Sequence, residues 1–246
     1  MADSERVLSE MASVKGDVKK RVAATVSAIL DLAWAYRIKG FAFEADDRLD
    51  EEVNRILVQL SNGNVVDAEI RARKLLQDLE LDGYLDDSLI YAEDEMDGEN
   101  AIFRYDMHSS HLKELIALWL GIAAIYGYSK QEVKTQILTY GGMPFLSPLW
   151  KEERKPVFSW GRGYDRNIVN GITVISQDLI NRSFQYARIQ FFKAMGAIGY
   201  RTVRNSNYHC PYCDEITTHV WPLDQIVLPA HARCVCYSVP VFANEL

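Results

Sequence analysis

The chain has 246 residues, is 48% hydrophobic and 25% charged, and carries a net charge of −7. That length suits one large or two modest domains, and the composition excludes a disordered or fibrous chain. Acid is unevenly spread: residues 1–150 hold 16 Lys/Arg against 26 Asp/Glu, and residues 151–246 hold 11 against 8. The acidic run over 44–99 should repel nucleic acid, while the C-terminal part tolerates it. Each single carboxylate there reads first as part of a solvated helix face. The start of the chain shows no basic segment followed by an apolar one. The apolar stretches over 22–36 and 115–126 are too short or too interrupted to span a bilayer. A soluble, intracellular protein without a membrane segment is therefore expected.

In chain order, residues 7–39 place Val14, Val18, Val22, Val26, Ile29 and Ala33 at steps of three and four, with Leu30 and Trp34 beside them. That spacing sets one apolar stripe on a long helix, with Gly40 as its stop. Leu49, Val53, Ile56, Leu57 and Leu60 predict a second helix. Ser61-Asn62-Gly63-Asn64 reads as a turn. Ile70, Leu75, Leu76 and Leu79 predict a third helix over 67–81, closed by Gly83. A short acidic helix is expected over 88–96 and a loop over 97–100.

A second helical group begins near His108. Leu112, Leu115, Ile116, Trp119, Leu120 and Ala123 form a wide apolar face. Ser129 followed by Glu132 is a capping-box signature for the next helix, through Leu138. Gly141, Gly142, Pro144 and Pro148 then mark a linker or loop. Residues 164–195 read as helical again, with Gly171 a helix junction. Ile175, Leu179, Ser183, Ala187, Phe191 and Met195 follow at steps of four, and Gly196 and Gly199 end the run. Beyond Tyr200 the period changes, and residues 200–204, 215–221 and 235–242 predict three short strands. The fold class is mainly α: a helical body followed by a small C-terminal zinc-stapled β module, α+β overall.

Those strands bracket the cysteine pairs. The pairs are Cys210 and Cys213, as Cys-Pro-Tyr-Cys, and Cys234 and Cys236, preceded by His231. Two close pairs about twenty residues apart match a four-ligand structural zinc site, because thiolates are soft donors and each short gap aims two sulfurs at one ion. Two disulfides are the alternative; a Cys234–Cys236 bridge would close a very small, strained ring. The four cysteines are the first choice of ligands. A second set exchanges Cys234 for His231, and His209 and His219 are weaker donors. A module this short buries little core, so a metal is a sensible anchor.

Other chemistries are poorly supported. Gly161-Arg162-Gly163 lacks the third glycine and the strand of a nucleotide loop. Ser159 and Ser176 lie in no nucleophile elbow. His108 and His111 read as solvated or capping residues. Trp119, Tyr126, Tyr128, Tyr186, Phe191 and Phe192 read as core. Arg201 and Arg204, near Tyr200 and Tyr208, weakly resemble a base-stacking surface and are the candidate nucleic-acid contacts.

The helix Ile180-Asn181-Arg182-Ser183-Phe184-Gln185-Tyr186-Ala187-Arg188 leads through Gly199-Tyr200-Arg201 to Cys210-Pro211-Tyr212-Cys213. It is followed by His231-Ala232-Arg233-Cys234-Val235-Cys236. This segment, residues 175–242, resembles the phage Mu F-like minor head protein family, also called the phage head-morphogenesis domain. Ala232 stands where that family has proline, and Val235 where it has arginine. The resemblance implies a virion protein made in the host cytoplasm, acting in head assembly and in DNA packaging or delivery. Its implied partners are portal or capsid proteins, phage DNA and further copies of itself within the virion, with no membrane. Cys210, Cys213, His231, Cys234 and Cys236 fall on the family motif. The expected domains are an acidic helical region over 1–105, which the resemblance does not cover, a helical core over 106–199 and the β module over 200–246. A zinc-dependent nuclease or hydrolase and a nucleic-acid-binding zinc module are the alternatives.

Overall fold

The computed structural model describes residues 2–36, 46–85, 101–140, 168–205, 210–230 and 234–245. Helix α1 spans Ala2–Tyr36. Its expected stripe, Val14, Val18, Val22, Val26, Ile29 and Ala33, is buried along its whole length. The expected stop at Gly40, the acidic helix over 88–96, the loop over 97–100 and the Gly/Pro stretch over 141–148 lie outside the described residues. So do Ser159, the Gly161-Arg162-Gly163 sequence, Tyr208, His209 and His231.

Helix α2 runs unbroken over Asp47–Asp78. Asp46 starts it, its carboxylate accepting from the amides of Arg48 and Leu49 at 3.1 Å each. The turn expected at Ser61-Asn62-Gly63-Asn64 is helix. Turn-forming side chains normally compete for backbone groups; here Ser61 and Asn64 also find partners on other helices. Asn64 Nδ2 donates to the Leu60 carbonyl at 2.7 Å, and Arg21 Nε donates to Asn64 Oδ1 at 2.9 Å. Ser61 Oγ shares a 2.7 Å bond with Ser109 Oγ. The helix ends at Glu80 (φ 57°), ahead of Gly83. The amide of Leu81 donates to Leu76 O at 2.8 Å and that of Glu80 to Gln77 O at 3.1 Å. This closure normally uses glycine. Gly83 lies instead in a 3-10 turn over Asp82–Tyr84. Ile70, assigned to the apolar face, is exposed.

Helix α3 spans Ala101–Tyr126, starting ahead of His108, and α4 spans Lys130–Tyr140. The capping box forms: the Ser129 amide donates to Glu132 Oε2 at 2.7 Å, and the Glu132 amide donates to Ser129 Oγ at 3.3 Å. Trp119 and Phe192 are core as expected, but Tyr126 is exposed.

Helix α5 spans Ile168–Ala194 and passes straight through Gly171. The glycine marks a close approach, not a junction. A Cβ there would stand 2.2 Å from Cε1 of the His108 imidazole. His108 is correspondingly buried, neither solvated nor capping. The expected row Ile175, Leu179, Ser183 and Ala187 is buried, whereas Met195 is exposed. Gly196 (φ 80°) closes the helix, with the Ala197 amide donating to Phe192 O at 3.0 Å.

Strands β1 (Gly199–Val203), β2 (Val220–Trp221) and β3 (Tyr237–Val241) form an antiparallel sheet in the order β2-β1-β3. Tyr200 pairs with Trp221 on one side and Pro240 on the other. The middle expected strand shrinks to two residues because helix α6, Pro211–Ile216, takes up its first part. Pro211 occupies the first turn, where its missing N–H costs nothing. The buried Tyr200 ring packs with Ile189, Phe192 and Ala197. Its hydroxyl donates to Gln225 O at 2.7 Å and accepts from the Val227 amide at 3.1 Å, which ties the loop after β2 to β1.

The chain divides into two units. One comprises Met1–Val14, Val66–Ala101 and Val174–Leu246 and contains the sheet. Within it, Arg71 Nη1 donates to Glu10 Oε1 and to Ser13 Oγ, both at 2.8 Å, and Arg71 Nε to Asp67 Oδ2 at 3.0 Å. The other comprises Lys15–Val65 and Ile102–Thr173. There Lys113 pairs with Asp50, and Gly171 packs on His108. No helix among the described residues is long and apolar enough to cross a membrane.

Two predictions follow from this packing. Gly171→Ala gains about 0.5–1 kcal/mol of helix propensity, but overpacking costs about 1–3 kcal/mol. Net destabilisation is expected in denaturant titration, and the substitution should cost less in a His108→Ala background. Burial pushes the Tyr200 hydroxyl up to about 12. An unfolded tyrosine titrates near about 10, so its stabilising contribution is complete below that pH and is lost as pH rises toward the folded value. Tyr200→Phe should cost about 1–3 kcal/mol, since Gln225 O and Val227 N–H lose their partner, and should flatten this alkaline slope.

Candidate metal centre

Three of the four predicted sulfurs meet. The Sγ atoms of Cys213, Cys234 and Cys236 all lie within 4.8 Å of one another, and all three residues are buried. Cys213 comes from α6, and Cys234 and Cys236 from the segment leading into β3. Leu228 and Ala230 complete the buried cluster. Cys210 packs against it from a half-buried position and stands outside the group of three. All four thiols are free, so neither of the disulfides considered from sequence is formed.

The backbone holding Cys234 and Cys236 precedes the β3 ladder, so its carbonyls need other donors. Helix α5 supplies them. Asn181 Nδ2 donates to Cys234 O at 2.9 Å, and Gln185 Nε2 to Cys236 O at 3.4 Å. Ser238 Oγ donates to Gln185 Oε1 at 3.1 Å. Asn181, Gln185 and Ser238 are all buried. These two amides were in plain view in the sequence, one turn apart among the buried positions of α5. Uncharged polar side chains at core positions of a predicted helix are the signal that finds them. Ser4, Val7, Leu8 and Met11 of α1 line the other side of the same segment.

Burial and the neighbouring sulfurs disfavour the charged form of two of the thiols. Burial, then the charge of Cys234, pushes the Cys213 thiol up to about 12. The Cys234 thiol is raised by donating to Cys236, then by burial, and the same contact lowers Cys236. Three thiolates could not share this space without a counter-charge, which a bound cation would supply, since a coordinating thiol is deprotonated outright. The spacing fits. Thiolates about 2.3 Å from a tetrahedral ion stand about 3.8 Å apart, and Cys213 Sγ lies 4.0 Å from Cys234 Sγ. Three buried cysteines close together can therefore hold a metal ion.

The remaining sequence candidates are elsewhere. His219 Nδ1 is bonded to Thr218 Oγ1 at 2.7 Å, and Asp214 pairs with Arg204. No histidine or carboxylate among the described residues joins the thiol group. Arg201 is exposed on β1, while the Tyr200 ring beside it is buried in the core.

Asn181→Ala should leave the buried Cys234 carbonyl without a donor and cost about 1–3 kcal/mol, read as a lower denaturation midpoint of the metal-free protein. An unchanged midpoint would show that the amide does not hold the cysteine segment. No family model, no curated protein and no solved structure matches this chain.

Proposed function

We propose that this chain is a non-enzymatic structural protein of a phage or prophage head, with a C-terminal module closed by a structural zinc ion. The observation that carries this reading is the convergence of Cys213, Cys234 and Cys236 against α5. These residues and this helix are the ones on which the resemblance to the head-morphogenesis family rests. Among the described residues the donor set is all sulfur, which suits zinc, and buried thiolates leave little room for a reacting water. A hydrolase would need histidine or carboxylate at the ion, and the described residues bring neither to the thiols. Portal or capsid proteins are the proposed partners, with phage DNA as a further one, and the virion is the proposed location. In that setting the helices supply contact surface and the ion sets the shape of the C-terminal end.

A structural zinc contributes an apparent free energy on the order of 10 kcal/mol to folding of so small a module. Elemental analysis of the reduced protein should find one zinc per chain. Cys213→Ser should abolish it and erase the near-UV signal of the module while most helical signal persists. Mass spectrometry of purified heads from a host producing this chain should detect it as a minor component. Zinc retained by the variant, or absence of the chain from purified heads, contradicts the respective half of the proposal.

A further inference from the structure

We infer that the four cysteines are unequal ligands: Cys213, Cys234 and Cys236 form a fixed buried core, and Cys210 is a detachable fourth donor through which the ion enters and leaves. This rests on the metal reading above and concerns the regulation of that site. Three independent features separate Cys210 from the others.

The first is position. The core sulfurs gather within 4.8 Å of one another, and Cys210 stands outside that group while touching the cluster. The second is exposure. Cys213, Cys234 and Cys236 are at most 4% accessible, whereas Cys210 is half-buried and is followed by exposed Pro211 and Tyr212. The third is local structure. Asn181 and Gln185 hold the Cys234 and Cys236 carbonyls, and Cys213 lies inside α6. Cys210 is the residue before α6, with extended backbone (φ −133°, ψ 111°); its carbonyl accepts from the Asp214 amide at 2.9 Å, but its side chain caps no helix amide. Its sulfur can therefore turn toward or away from an ion while that backbone bond stays in place.

The physical consequence is a graded site. Three preorganised thiolates bind a soft cation without prior rearrangement. The fourth closes the tetrahedron, and a site with one position open exchanges its ligand or its ion where a closed one does not. Electrophiles that reach thiolates act first on the exposed one, since accessibility governs cysteine reactivity together with charge. Modification of Cys210 would then loosen the ion while the core and the fold persist.

Cobalt(II) bound to the full-length reduced chain is the probe, because its thiolate charge-transfer absorption scales with the number of sulfur ligands. Cys210→Ser is the first variant. Serine is a strong helix cap, so α6 is retained, and Cys210→Ala provides the check that no hydroxyl substitutes as ligand. Both should bind one cobalt per chain, with charge-transfer intensity lower by about a quarter, as expected for three sulfurs in place of four. Both should also surrender zinc to a chromogenic chelator faster than the unaltered chain. Cys213→Ser should bind none. With the zinc-loaded unaltered chain, a maleimide should label Cys210 ahead of the other three. Full charge-transfer intensity in Cys210→Ser would exclude Cys210 as a ligand. Complete loss of binding in that variant would show four equal ligands. Either result overturns the hierarchy and leaves the metal reading standing, whereas failure of the unaltered chain to bind cobalt or zinc overturns both.

Discussion

Two amide side chains on one helix determine where the cysteines are. Asn181 and Gln185 lie one turn apart on α5, both buried, and both reach across to the carbonyls of Cys234 and Cys236. A buried amide without partners costs about 1–3 kcal/mol. So does a buried carbonyl, and the segment before β3 has no strand neighbour to supply a donor. Each group satisfies the other. The hydroxyl of Ser238 then fixes the orientation of Gln185. Such a network holds only when the segment sits in one register on the helix, so these hydrogen bonds help to place the two sulfurs.

Preorganisation of this kind sets the electrostatic problem of the centre. Thiols brought together in an apolar pocket resist ionisation, and the Cys213 thiol, pushed up to about 12, illustrates the strength of burial there. The contact between Cys234 and Cys236 raises the first thiol and lowers the second. A metal ion held among the three sulfurs would offset their repulsion. Tyr200, at the centre of the order β2-β1-β3, packs on α5 with its ring and holds the loop carrying Gln225 and Val227 with its hydroxyl.

The helical body shows the same use of buried polarity. Ser61, Asn64 and Ser109 are polar residues at core positions, and each has a partner there. Arg71 collects Glu10, Ser13 and Asp67 in one half-buried cluster. His108 fits the space left by the missing side chain of Gly171. In each case the residue is one that local rules assign to turns, caps or solvent. Its native role comes from a group distant in sequence.

Periodicity alone determined the helical character, the apolar stripe of α1, the capping box at Ser129 and Glu132, and the change to short strands after Tyr200. These depend on neighbours within a turn or two, so they are written locally. The four cysteines were equally legible, because metal spacing is a local pattern. Tertiary structure decided everything that required distant partners. It kept α2 helical through Ser61 and Asn64, ended it at Glu80 instead of Gly83, and made Gly171 a packing site. It also turned residues 215 and 216 from expected strand to the end of a helix, and it ranked the cysteines by burying Cys213, Cys234 and Cys236 while leaving Cys210 at the edge. A local rule cannot supply such outcomes, because the free energy of a buried polar group depends on which partner the fold brings to it.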